Sequence, residues 1–300
     1  MKNKLILTNV MGRLSRSAAF GLLAIGVFGG SQALAQMSST RHNLGSGQTI
    51  TGANETSGTA EICVFCHTPH GANTAAVVPL WNRTLPAASA YITYNNLGTS
   101  TMDGATVPVG SVSIACLSCH DGVQAMNSMI NLPGSGGYNS LGSLLAGTWT
   151  GGQQTTGQLT NANGFIANLG TDLRNDHPIG VQYAGGLTGN ASLGLADMAQ
   201  GAGRDADFRA ATYVNLNGNP VWYVETAVAG TRSKADLTLY TRVGGTALFG
   251  TTNSTAGGAT LSGNQAYVEC ASCHDPHTQN ATFLRISNAG SAVCLACHIK

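Results

Sequence analysis

The distribution of hydrophobic and polar residues predicts little regular structure along most of this chain. Two stretches, 220–226 and 236–241, have the β-branched and aromatic composition of strands, and we expect them to pair as a hairpin. Residues 193–202 predict a short helical turn. Gly, Asn and Thr dominate elsewhere, with 40 Gly in 300 residues, which is typical of turns and coil. The pattern therefore predicts a mostly coil fold with short helices and a small β-hairpin.

The first 35 residues have the pattern of a secretory signal peptide. Four basic residues in the first 16 positions precede an apolar run over 18–28, and the triplet at 33–35 matches a cleavage site. The run is shorter than the ~20 residues that a bilayer-spanning helix needs, so an uncleaved anchor is the weaker alternative. No later stretch is apolar enough to cross a membrane. We therefore expect an exported mature chain from about Gln36, with no membrane span.

Charge is scarce in this chain and nearly balanced. Charged residues make up 9% of the sequence and aromatic residues 6%. Without the first 35 residues, acidic side chains outnumber basic ones, whereas a nucleic-acid-binding surface needs clustered Lys and Arg. We therefore expect no nucleic-acid partner, and something other than charge pairs or aromatic packing must hold the chain together.

All eight cysteines belong to C-x-x-C-H units, and none is left over. Two thiols at this spacing match the two vinyl groups of a haem, and the imidazole that follows is the proximal ligand of its iron. The four units therefore predict four covalently bound haem c groups. The cysteines are Cys63 and Cys66, Cys116 and Cys119, Cys270 and Cys273, and Cys294 and Cys297, and the proximal histidines are His67, His120, His274 and His298.

Zinc binding and disulfide formation are the alternatives for these cysteines. A zinc site uses C-x-x-C pairs, but it needs no His directly after each pair, and the spacing between the pairs is irregular here. Disulfides are common in exported proteins, but they would leave the four motif histidines unexplained. Haem attachment accounts for both residue types.

The chain holds as many further histidines as four six-coordinate irons need. Four of its eight histidines lie outside the motifs, and they are His42, His70, His177 and His277. This match predicts two axial histidines at every iron, with these four as the distal ligands. A methionine ligand is the alternative at any one haem, and Met126 and Met129 follow the second motif closely.

Two of the distal candidates occur in a repeated H-x-P-H pattern, at 67–70 and 274–277. The proline turns the chain soon after the proximal histidine. His70 and His277 should therefore leave their own haems and bind neighbouring irons.

The other two distal candidates have different surroundings. His177 precedes Pro178, which favours an extended loop, and Asp176 is a candidate acceptor for its imidazole. His42 lies in an N-terminal arm, 36–60, that is rich in Gly, Ser, Thr and Asn and is expected to be flexible. Such an arm can fold back onto its own subunit, or it can reach an adjacent subunit and complete a haem there.

The motifs divide the mature chain, 36–300, into two haem pairs. Residues 61–122 hold the first pair and 267–300 the second. Between them lies a low-complexity insert, 123–266, that carries a distal histidine. The four large apolar macrocycles would supply much of the core, so we expect the chain to wrap around the haems.

The motifs at 63–71, 176–180, 268–277 and 294–298 resemble those of a known family. They are similar to the filament-forming tetrahaem c-type cytochromes, the OmcE-type cytochrome nanowires, although the resemblance is weak across 181–260. It implies stacked subunits with one continuous chain of bis-histidine haems, and it implies no catalytic residues. It also implies that a histidine near the mature N-terminus, here His42, ligates a haem of the next subunit.

Three functions follow from these observations. The favoured one is an electron-transfer protein, not an enzyme, that is exported through the periplasm to the cell surface or extracellular space as a filament. Its partners would be further copies of the chain, redox partner cytochromes or extracellular electron acceptors. The second is a monomeric periplasmic electron shuttle with His42 bound in its own chain. The third is a multihaem reductase, which needs an iron with an open distal face, and the four distal histidines leave no such iron.

Overall fold

The computed structural model describes residues 37–299, apart from 99–101, 103, 135, 163–165, 189–199, 204, 217–218, 227–229, 231, 244–245, 248–253, 257–258 and 262–264. The predicted signal peptide, 1–35, lies outside the described residues, and so does most of the predicted helical turn at 193–202. Within the described ranges, no helix has the length and apolar character needed to cross a membrane.

The α-helices of the described chain are few and short, and each of them overlaps a C-x-x-C-H motif. They are α1 (Ser111–His120), α2 (Cys270–Cys273) and α3 (Ala292–Cys297). Short 3-10 helices span Cys63–Phe65, Ala88–Ala90, Tyr94–Leu97, Tyr183–Gly185, Ala281–Phe283 and Ala289–Ser291. The first of these begins the first motif, so all four motifs contain a helical turn.

The strands are short, and all their named pairings are antiparallel. They are β1 (Glu55–Thr56), β2 (Ser128–Asn131), β3 (Tyr138–Leu144), β4 (Trp149–Thr150), β5 (Gln154–Thr155), β6 (Gln158–Leu159), β7 (Val181–Gln182), β8 (Leu187–Thr188), β9 (Gln200–Gly203), β10 (Ala211–Leu216), β11 (Asn219–Val224), β12 (Leu237–Val243), β13 (Thr246–Ala247), β14 (Ser254–Ala256), β15 (Ala259–Leu261) and β16 (Ala266–Val268). The fold is mostly coil with few short helices and small antiparallel sheets.

The largest sheet has the strand order β7-β16-β12-β11-β10-β9-β8, with β13 paired to β12. The predicted hairpin between 220–226 and 236–241 is confirmed, because Trp222 lies opposite Leu239 across β11 and β12. The insert contains more strand than that single hairpin, since β7 to β13 all lie within it. The end of the predicted helical turn, at 200–202, belongs to β9 instead. Most of these extra strands have only two to four residues, which is too short for composition to reveal them, and the partner of β7 is distant in sequence.

Three clusters of buried hydrophobic side chains form the core. The first cluster lies on the large sheet and includes Trp222, which is fully buried. The second includes Met126 and Met129, and the motif cysteines Cys66 and Cys119 pack against it. The third contains Tyr91, Val109, Ile114, Leu117 and Leu173. The first two motifs therefore border one shared hydrophobic cluster.

The N-terminal arm folds against its own chain from residue 37 onward, which corrects the expectation of a flexible arm. Leu44 is buried in the second cluster, and Thr56 is fully buried where β1 pairs with β4. The Gln48 side-chain amide donates to the carbonyls of Thr40 and Asn43 over 2.9 and 2.6 Å. Apolar burial and these local hydrogen bonds fix the path of a segment whose composition is typical of flexible chain.

Substituting Trp222 with Ala should lower the free energy of unfolding by about 3–5 kcal/mol, because it leaves a cavity in the core of the large sheet. Leu141→Ala is the control, since Leu141 is 85% exposed, and the change should cost less than about 0.5 kcal/mol. Chemical denaturation of the holoprotein measures both changes. An equal loss in the two variants would contradict the assigned core.

Candidate functional site

The four C-x-x-C-H motifs share one local geometry. In the first, third and fourth motifs, the amide of the histidine donates to the carbonyl of the first cysteine over 2.8, 3.0 and 2.9 Å. The second motif forms the end of α1. One helical turn thereby brings two thiols and an imidazole together, which is the arrangement that thioether attachment and proximal ligation of a haem need.

The motif cysteines carry free thiols. All eight lie in the described chain, and none of them forms a disulfide. Within the same ranges, no three His, Cys, Asp or Glu side chains are grouped so that they could hold a bare metal ion. The thiols are therefore available for thioether bonds.

Three proximal imidazoles are oriented by the same kind of hydrogen bond. Nδ1 contacts a backbone carbonyl oxygen in each case: that of Pro79 for His67 at 2.8 Å, that of Ala167 for His120 at 2.7 Å and that of Thr282 for His274 at 2.8 Å. A carbonyl oxygen only accepts, so Nδ1 carries the proton and Nε2 keeps a free lone pair. Nε2 is therefore ready to bind an iron, and these residues fit a haem c ligand set.

A returning segment lies beside three of the four proximal histidines. Antiparallel bridges join His67 to Trp81, His274 to Leu284 and His298 to Phe208. The residue after each bridge donates its amide to the carbonyl of the second motif cysteine over 2.8 Å, and these donors are Asn82, Arg285 and Arg209. Three motifs therefore share one backbone support, which holds the imidazole in place from the side.

Two distal candidates face a proximal histidine. The ring centres of His67 and His277 are 6.2 Å apart with planes 19° apart, and those of His42 and His120 are 6.1 Å apart with planes 72° apart. Two imidazoles on opposite sides of one iron, each with a nitrogen about 2 Å from the metal, have ring centres about 6 Å apart. The residues present therefore fit bis-histidine haems at the first and second motifs, and the first of these draws its ligands from both halves of the chain.

His42 lies against its own chain, at the second motif. Its ring stacks on Phe283 with 4.1 Å between ring centres, and its Nδ1 atom is 3.5 Å from the carbonyl oxygen of Pro276. Burial, followed by the nearby charge of His120, lowers the pKa of His42 to about 4. In this single chain the face of Phe283 and the buried Leu44 hold the arm in the folded-back arrangement, which is one of the two arrangements expected for it.

Four histidines are left to complete the third and fourth sites. The proximal ligands there are His274 and His298, and the distal candidates are His70 and His177, both exposed. Among the described residues, no imidazole faces any of these four at the separation found in the first two sites. Desolvation, followed by the charges of His274 and His298, lowers the pKa of His177. His177 therefore lies near both of the remaining proximal ligands.

Asp176, the expected acceptor for the His177 imidazole, has other contacts in the structure. The Tyr94 hydroxyl donates to the backbone carbonyl of Asp176. The side-chain Oδ2 atom of Asp176 is buried and has no hydrogen-bond partner among the described residues, and burial raises the pKa of this carboxyl group. The structure contains no hydrogen bond from His177 to Asp176 in the described chain, although an unpartnered acceptor lies directly beside it in sequence.

The attachment thiols of successive motifs are neighbours. The neighbouring thiols are Cys66 with Cys119, Cys116 with Cys270, and Cys273 with Cys294. The hydrogen bond between Cys116 and Cys270, together with burial, raises the pKa of the Cys116 thiol. The first cysteine of the first motif, Cys63, and that of the last motif, Cys294, are exposed, whereas the other six are partly buried. The four attachment sites therefore form one series with an exposed site at each end.

Sequence reasoning missed Arg83, which is fully buried between the first two motifs. Its guanidinium donates to both the hydroxyl and the carbonyl of Ser118, inside the second motif. A signal was present, because Arg83 is the only Lys or Arg between positions 42 and 173. The carbonyls of Pro79, Ala167 and Thr282 left no such signal, since every residue type carries a backbone carbonyl.

Residues 264–300, which include the third and fourth motifs, match the family model of the doubled CXXCH motif. A comparison with curated proteins finds no match. The doubled motif, together with two further motifs of the same local geometry, indicates a multihaem c-type cytochrome that carries up to four haem c groups. A multihaem cytochrome of this kind implies electron transfer.

Replacing His277 with Ala should remove the sixth ligand from the haem of the first motif, because its ring faces His67. We expect a high-spin ferric signal from one haem per chain, measured by electron paramagnetic resonance. The control repeats H277A in a variant in which Cys63 and Cys66 are both Ala, so that the first haem is absent. The high-spin signal should then disappear, and a signal that persists would assign His277 to another haem.

Proposed function

We propose that this chain is an exported tetrahaem electron-transfer protein and that its copies assemble end to end into an extracellular filament. The observation that carries the electron-transfer proposal is the series of four neighbouring attachment sites with an exposed site at each end. Such a series gives electrons one continuous path through the chain. It also offers both ends of the path to redox partners or to further copies.

The protein's own residues support this use in three ways. Each bound haem c would supply an iron that alternates between Fe(III) and Fe(II) by one electron. The cysteines hold the group covalently, so it is not lost outside the cell. The carbonyls of Pro79, Ala167 and Thr282 fix the tautomer and the direction of three proximal imidazoles. An imidazole held in this way changes little in position when its metal changes charge.

The supply of histidines favours electron transfer over an enzymatic reaction. A reductase needs a metal site with one open position for its substrate. At the first two sites a second imidazole already lies about 6 Å from the proximal ring, where it excludes such a position. The two remaining distal candidates, His70 and His177, match the two remaining sites in number.

Two surface features support assembly into a filament. The mature chain carries a small net charge, so copies repel one another only weakly. The hairpin of β2 and β3 exposes three large apolar side chains, with Tyr138 at 62%, Leu141 at 85% and Leu144 at 66%. Apolar groups concentrated on one exposed element are typical of a protein contact surface. With His42 bound in its own chain, this assembly requires no exchange of the N-terminal arm.

The monomeric periplasmic shuttle is the second candidate, and one observation favours it. His42 already faces His120 of the same chain, so a single copy supplies the second site completely. A shuttle and a filament subunit can share the whole ligand set, and only their state of association separates them.

Electron microscopy and sedimentation of the purified holoprotein distinguish the two candidates. We expect filaments, and we expect His42→Ala to keep them while converting one haem to high spin, because His42 serves its own chain. Leu141→Ala combined with Leu144→Ala should weaken assembly and leave the haem spectra unchanged. A wild-type holoprotein that stays monomeric at high concentration would establish the shuttle, and loss of filaments in H42A would show that the arm is exchanged after all.

A further inference from the structure

Arg83 brings an unpaired positive charge into the protein interior. Its side chain is fully buried, and a guanidinium stays protonated at any physiological pH. All five N–H groups donate to neutral oxygens at 2.7–3.1 Å, and these are the Ser118 hydroxyl and the carbonyls of Ser118, Ala125, Met126 and Ser128. No carboxylate is among these partners, so carbonyl dipoles alone compensate the charge.

The other fully buried arginine is different. Arg242 forms an ion pair with the buried Glu269, directly before the third motif. That pair is neutral as a unit, and the Ser113 hydroxyl donates to the second carboxylate oxygen over 2.5 Å. Among the buried basic side chains of the described residues, Arg83 is therefore the one without a carboxylate partner, and a buried charge without a partner costs much more than a paired one.

Arg83 lies between the first two haem sites. Its neighbour Asn82 donates to the carbonyls of Val64 and Cys66 in the first motif, over 2.7 and 2.8 Å. Arg83 itself donates to Ser118, which lies between the two cysteines of the second motif. The positive charge is therefore fixed close to both sites.

We propose that Arg83 raises the reduction potential of the first haem pair, so that electrons pass downhill from the second pair toward the first. Reduction adds one electron to a haem iron and lowers its charge by one, and a fixed positive neighbour favours that state. This inference rests on the proposed electron-transfer function and adds a direction to it.

The arginines near the other two motifs have weaker effects. Arg209 is exposed and Arg285 is half-buried, and each donates its backbone amide to a motif cysteine carbonyl. Solvent and salt screen such charges, whereas they screen a fully buried one much less. Arg285 is therefore the matched control, since its removal changes the chain by the same single charge beside a haem site.

The experiment is a spectroelectrochemical titration of the holoprotein carrying Arg83→Gln, Arg83→Lys or Arg285→Gln. With R83Q, the Fe(II)/Fe(III) ratio of one haem at a fixed potential should fall by about tenfold, which is the effect of one buried charge at close range. R83K keeps the charge and should keep the potential, although it loses hydrogen bonds. R285Q should give a smaller shift that disappears as the salt concentration rises. Four unchanged potentials in R83Q, or an equal fall in R83K, would overturn the inference.

A second variant covers the case in which R83Q does not fold. Ser118→Asp places a carboxylate where the Ser118 hydroxyl now accepts from the Arg83 Nε atom at 3.1 Å, and it should lower the same potential. Ser118→Asn is its uncharged control. Potentials that are equal in the two variants would reject the role of Arg83. A wild-type chain that binds no haem, or whose haems are not reduced and reoxidised at the electrode, would instead contradict the proposed function itself.

Discussion

The structure depends on one constraint at its first two motifs, which is that a second imidazole is held with its ring centre about 6 Å from that of the proximal histidine. The chain meets it with backbone rather than with a conventional core. A helical turn presents each proximal histidine. In the first, third and fourth motifs a returning segment bonds to that turn, and in the first and third it also contacts the imidazole itself. The paths of the long coil segments are therefore fixed by their hydrogen bonds to the motifs, although these segments contain little regular structure.

The sequence predicts the chemistry of the sites better than their architecture. Covalent attachment fixes the spacing of Cys63, Cys66 and His67, so the motif can be recognised in the sequence without knowledge of the fold. The hairpin across Trp222 was visible for a similar reason, since strand-forming residues cluster there. The position of His42 depends on contacts with Phe283, more than 200 positions away, and no local pattern records such a contact. The same holds for the pairing of β7 with β16, which are more than 80 positions apart in sequence.

Charged residues are scarce in this chain, and several of its buried charges lie beside the attachment sites. Arg83 lies between the first two motifs, and the Arg242–Glu269 pair lies at the start of the third. Most of the charged residues elsewhere lie at the surface, where solvent weakens them. A chain with 9% charged residues can therefore still control the electrostatics of its interior, because a buried charge acts through a less polarisable medium.

The pairing of His67 with His277 has a consequence for how the protein is made. The first motif is synthesised long before His277, whose ring faces it. His42 is likewise synthesised long before Phe283, on which its ring stacks. A product truncated before the C-terminal end would therefore lack both the imidazole that faces His67 and the ring on which His42 stacks.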